Sequence, residues 1–77
     1  MGKPTRITNA IRALRFAHGE MTQEQLAQRI GVTRQTIIAI EQGRYSPSLE
    51  MAFQIARVFQ VPLDEVFQYP DGQGEPL

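Results

Sequence analysis

Between Thr22 and Gly43 the chain reads TQEQLAQRIGVTRQTIIAIEQG, and the placing of its apolar, small and turn-forming residues leaves few folds open. Leu26, Ala27 and Ile30 share one face of a helical period, and Ile37 and Ile40 share another. Gly31 separates them. A glycine just past a helix end marks the left-handed backbone that a side chain resists. Thr22 can take an orphan backbone N–H through its hydroxyl, and Gln25, three residues on, can reach back, which makes a capping box. Thr33 can cap the next helix in the same way. The spacing predicts a short helix over Gln23–Ile30, a tight turn and a further helix over Arg34–Gln42, stopped by Gly43. Ala27 is small where the two helices cross. Leu26, Ile30, Val32, Ile37 and Ile40 form the shared apolar wedge that sets their angle.

The rest of the chain follows the same period. Ile7, Ile11, Leu14 and His18 predict a first helix over Thr8 to about His18, ended by Gly19. Tyr45 to Ser48 reads as a loop, with Ser48 as the cap of a fourth helix over Leu49–Phe59. That helix is expected to bury Leu49, Ala52, Ile55, Ala56 and Phe59. Pro62 opens a last short helix that buries Leu63, Val66 and Phe67. No segment alternates with period two, so no sheet is expected. The fold class is all-α with five helices. Residues 1–69 form one domain, and residues 70–77, PDGQGEPL, form a disordered tail.

At 77 residues there is room for one compact domain. With no Cys and a single His, no disulfide or ordinary zinc set is available, and no metal or other cofactor is expected. The lack of Cys fits a cytoplasmic protein. The start, MGKPTRITNAIRALR, does not read as a signal peptide, and no apolar run reaches the length of a membrane span. The formal net charge is zero, but it is unevenly spread. Residues 1–44 hold seven Lys or Arg against three acids, a net +4, and residues 45–77 hold one against five, a net −4. Such polarity suits a protein that turns one face to phosphates, although ordinary solvated faces would produce it too.

Two helices locked at a fixed angle by an apolar wedge allow one to lie in a DNA major groove while the other crosses the backbone. The segment resembles the helix-turn-helix of the lambdoid phage Cro and repressor family, also called the Xre family. The likeness runs from about Ile11 to Phe67. It includes Glu41-Gln42-Gly43-Arg44 and the string SPSLEMAFQIARVFQVPLDEVF, which is similar to the fourth and fifth helices of compact bacterial members. It implies a lambda-repressor-like domain that binds double-stranded DNA and regulates transcription by occupying an operator.

The resemblance also implies residue roles. Thr33, Arg34 and Gln35, at the start of the recognition helix, would face base edges; Arg can pair bidentately with guanine and Gln with adenine. Ile38 and Ala39 would contact thymine methyls, although Ile38 could instead pack against the first helix. Gln23, Thr36, Arg44 and Tyr45 would contact phosphates, which fix register without reading sequence. Ala27 and Gly31 shape the turn. Arg15 of the first helix would pair with Glu41 and orient the recognition helix. The stretch His18-Gly19-Glu20 is one residue longer than the commonest family pattern. Lys3 and Arg6 could follow the DNA backbone as a short arm, or be solvated and disordered.

Family members usually bind as two-fold dimers, so a homodimer on DNA is expected. Met51, Phe53, Val58, Phe67, Gln68 and Tyr69 exceed what a small core needs and could supply the contact. The alternative is a protein-interaction module on the same fold, an antitoxin or a bridging co-activator. An enzyme is not expected: the sequence has no nucleophile elbow, no phosphate-cradling glycine loop and no metal spacing. Nor is a small-molecule ligand.

Overall fold

The computed structural model describes residues 5–70. It contains five helices, α1 (Ile11–Ala17), α2 (Gln23–Ile30), α3 (Arg34–Glu41), α4 (Leu49–Phe59) and α5 (Leu63–Val66). Two very short strands, β1 (Thr8–Asn9) and β2 (Phe67–Gln68), flank them. The expected residues cap three of the helices. Thr22 accepts from Gln25 N at 3.0 Å while the Gln25 side chain accepts from Thr22 N at 2.8 Å. Thr33 caps α3 through Thr36 N, and Ser48 caps α4 through Met51 N. Gly31 ends α2 at φ +77°, in the left-handed region.

The core consists of Ile11 of α1, Met21 before α2, Leu26 and Ala27 of α2, Ile37 and Ile40 of α3, Ile55, Ala56 and Phe59 of α4, and Val66 of α5. Burying each large apolar side chain contributes about 1.5–3 kcal/mol. The α2–α3 pair thus shares one core with α1 and α4, while Arg34 and Gln35 at the start of α3 stay exposed.

Four expectations need correction. A sheet is present: β1 pairs antiparallel with β2, Thr8 opposite Gln68 and Asn9 opposite Phe67. Consequently α1 begins at Ile11 rather than Thr8, because the preceding residues are extended and paired. Leu49 is 68% exposed, since it is the first residue of α4 and overhangs the edge of the core. Leu63 and Phe67 are half-buried, leaving Val66 as the fully buried residue of α5. The end of α1 falls where expected: His18 is its C-cap, with its ring tilted on Phe59 at 5.2 Å.

Between α1 and α2 stand two consecutive left-handed residues, Gly19 at φ +80° and Glu20 at φ +57°. Met21 N then donates to Arg15 O at 2.9 Å, which returns the chain to the core. The expected disordered tail lies outside the described residues apart from Pro70, as does Lys3 of the basic arm. Arg6 lies over the Tyr69 ring at 5.6 Å, and Thr5 N donates to Gly43 O at 3.1 Å, so this part of the arm is held against the domain.

Candidate nucleic-acid interface

The exposed start of α3 follows from its cap. Thr33 has an extended backbone and turns the chain into the helix, and its hydroxyl lies 3.1 Å from that of Thr36. The next two side chains, Arg34 and Gln35, are exposed. Ile37 and Ile40 face inward and are buried, so Ile38 and Ala39 fall on the flank of the helix and are half-buried. Polar side chains at the tip with small and apolar ones a turn later can read both base edges and a thymine methyl.

At the far end of α3 the Glu41 carboxylate gathers three donors. Arg15 Nε reaches Oε2 at 2.7 Å and Arg15 Nη2 reaches Oε1 at 3.3 Å. Gln23 Nε2 reaches the same Oε1 at 3.1 Å. The third arm of the guanidinium, Nη1, donates to Met21 O at 2.8 Å. Both charged side chains are about nine-tenths buried, with 8% and 10% exposed. The pair is therefore sheltered, forked and hydrogen-bonded, the geometry in which an ion pair is strongly directional. It ties α1 and the first residue of α2 to the last residue of α3.

A cleft opens above this pair. Its lining includes Arg12, Phe16, Gln23, Arg34 and Gln42. Two exposed cations, Arg12 and Arg34, thus share one concavity with Gln23 at the start of α2, where backbone N–H groups favour an anion. Arg12 stands over the ring of Phe16 at 5.5 Å, and Arg15 approaches the same ring at 5.6 Å. Arg44 lies beyond α3, exposed, its backbone N–H donating to Ala39 O at 2.9 Å. Tyr45 is half-buried and packs against the core. Of the residues singled out from sequence, Arg15, Gln23, Arg34 and Glu41 line this cleft, while Arg44 and Tyr45, which follow the C-terminal end of α3, are not part of its lining.

Sequence reasoning passed over two residues here. Arg12 precedes Arg15 by one helical turn, a spacing that could have flagged it as a second cation on the same face. Asn9 could not have been found in this way. Its side chain donates to the carbonyls of Ile40 and Glu41 at 3.1 and 3.4 Å, 31 and 32 residues away.

A helix-turn-helix family model matches residues 11–66, most of the described chain. The chain belongs to that family, in its Xre type. It is 49% identical over 65 residues to an uncharacterised helix-turn-helix-type transcriptional regulator of Methanocaldococcus jannaschii, covering 84% of this chain and 97% of the relative. It is 37% identical to the cryptic phage CTXphi transcriptional repressor of Vibrio cholerae, over 77% of this chain and 52% of the repressor. The restriction-modification controller protein C.AhdI from Aeromonas hydrophila superposes with a TM-score of 0.65 at 31% identity, over 71% of this chain and 78% of that one. The Xre-type match spans α1 to the end of α5, so the four helices that position α3 all lie within it. Among the described residues no helix is long and apolar enough to cross a membrane, and no group of three acidic or imidazole side chains could hold a metal ion.

Proposed function

We propose that this protein is a sequence-specific DNA-binding regulator that represses transcription by occupying an operator as a homodimer. One observation carries the reading: the buried Arg15–Glu41 pair and the buried Ile37 and Ile40 hold α3 in the fold while its first turn offers Arg34 and Gln35 to solvent. A helix fixed in this way can enter a major groove without first being ordered, so little of the binding free energy is lost in positioning it. Arg34 reads guanine and Gln35 adenine, Thr33 stands at the edge of the same site, and Ile38 and Ala39 meet thymine methyls. Gln23, Thr36, Arg44 and Tyr45 contact phosphates along the flanks. The repressor relative supports repression over activation.

Two copies meet through the apolar face formed by Leu49, Phe53, Phe67 and Tyr69. Leu49, Phe53 and Tyr69 are at least half exposed, a larger apolar share than a monomer of this size needs to show. A two-fold pairing would set the two recognition helices about 34 Å apart, one turn of B-form DNA. The protein acts in the cytoplasm.

The test is selection of binding sites from a random duplex library with purified protein, followed by affinity measurements on the enriched site over a salt series. An enriched near-palindrome with a steep fall of affinity with salt is the expected result. Weak, salt-sensitive binding with no enriched sequence would reject the reading and direct attention to a protein partner.

A further inference from the structure

Asn9 joins three elements at one point. Its carboxamide nitrogen donates to Ile40 O at 3.1 Å and, at longer range, to Glu41 O at 3.4 Å, the carbonyls at the end of α3. Its carboxamide oxygen accepts from Ile11 N at 3.1 Å, the first backbone N–H of α1, a helix whose N-cap residue Ala10 makes no side-chain cap. Its backbone sits in the β1–β2 ladder opposite Phe67, and the next N–H, that of Ala10, donates to Val66 O at 2.9 Å. A few residues earlier, Thr5 N donates to Gly43 O at 3.1 Å, so two successive points of the N-terminal segment grip the same helix end.

The apolar wedge between α2 and α3 sets their crossing angle, but apolar contact is non-directional. It resists separation better than it resists small rotations of α3 about its own axis. Hydrogen bonds to the end of the helix are directional, and α3 receives them on two sides: on the Glu41 side chain from Arg15 and Gln23, and on its main-chain carbonyls from Asn9. We infer that Asn9 is a positioning residue for DNA reading: it fixes the recognition helix against the β1–β2 ladder, and thereby sets how Arg34 and Gln35 meet the base edges. Its side chain lines the cleft that also holds Arg12 and Arg34, but its carboxamide is engaged by the ends of α1 and α3. The inference rests on the proposed function, in which α3 is the reading helix.

The experiment compares Asn9→Ala and Asn9→Asp with the wild type in fluorescence anisotropy, on the selected site and on an unrelated duplex, with thermal unfolding measured in parallel. Asp keeps the acceptor for Ile11 N but loses the donor to α3, so it separates capping of α1 from holding of α3. Binding is read well below each protein's melting temperature. Both variants are expected to lose about tenfold in affinity for the selected site and less than about twofold for the unrelated duplex, because phosphate contacts tolerate a rotated helix and base contacts do not. If Asn9→Ala leaves too little folded protein, Asn9→Asp alone decides. Equal losses on both duplexes would mean that Asn9 only supports the fold, and an Asn9→Asp protein that discriminates like the wild type would mean that the donor to α3 is immaterial; either result overturns the inference alone. A wild type that binds both duplexes equally would overturn the DNA-reading function and this inference together.

Discussion

Replacing Arg15 by Met should be among the most damaging single changes in this protein. Met keeps much of the length and the apolar contacts of the arginine stem, so the change removes mainly the guanidinium. The Glu41 carboxylate then stays at 10% exposure with Gln23 as its only remaining side-chain donor, and Met21 O loses the Nη1 hydrogen bond. Leaving one charge of a buried pair unpartnered destabilises by about 3–5 kcal/mol. A domain of 77 residues has a total stability of about 4–12 kcal/mol at typical values per residue, so Arg15→Met should remove a large share of it. At about 4–8 °C per kcal/mol, the melting temperature should fall by at least about 12 °C. Urea unfolding followed by circular dichroism measures the loss directly. The paired replacement Arg15→Met with Glu41→Leu removes both charges and should recover most of it, since buried ion pairs contribute little over apolar side chains of similar size. A loss below about 1 kcal/mol for Arg15→Met would show that the pair behaves as an exposed one, and would refute the claim that it locks α3.

Three further changes probe other parts of the molecule. Arg34→Ala should weaken the selected site by about 1–3 kcal/mol and relax the preference at one base position, which repeating the site selection would reveal; an equal loss on all sequences would make Arg34 a phosphate contact only. Gly31→Val should lower the melting temperature although a Cβ there meets nothing within 4 Å, because φ +77° strains a β-branched residue; an unchanged melting temperature would contradict that backbone geometry. Phe53→Glu should leave the fold intact, as the ring is 50% exposed, and, under the proposed homodimer, lower self-association in sedimentation relative to the wild type; undiminished dimer affinity would move the interface elsewhere, and a wild type that is monomeric both free and on DNA would overturn the dimer.

The parts of this fold that could be read from the sequence are those with local causes. The ends of α2 are set by Thr22, Gln25 and Gly31, all within one turn of what they cap, and the start of α3 is set by Thr33 in the same way. The β1–β2 ladder escaped because a strand of two residues has no period to detect, and its partner lies about sixty residues away in the chain. Leu49 misled because it keeps the helical period of α4, yet period alone does not say where the core ends. The Arg15–Glu41 pair was legible only through family resemblance, because nothing local links residues 26 apart. Asn9 illustrates the limit most sharply. Its oxygen accepts a local bond from Ile11 N, two residues on, but the destination of its nitrogen depends on where α3 comes to rest.

The pairing of Thr8 with Gln68 also bears on how the domain assembles. Bringing together two points about sixty residues apart opposes folding by about 4 kcal/mol of chain entropy. Two ladder positions cannot offset that unaided. The helices must therefore pack first and carry the two ends to each other, so the ribbon closes late and is among the first parts to open again. Each opening would release Asn9, and with it one of the two grips on α3. If α3 is the reading helix, bound DNA that favours the gripped orientation would in turn keep the ribbon shut, so amide exchange at Ala10, whose N–H is held by Val66 O, would slow on DNA binding.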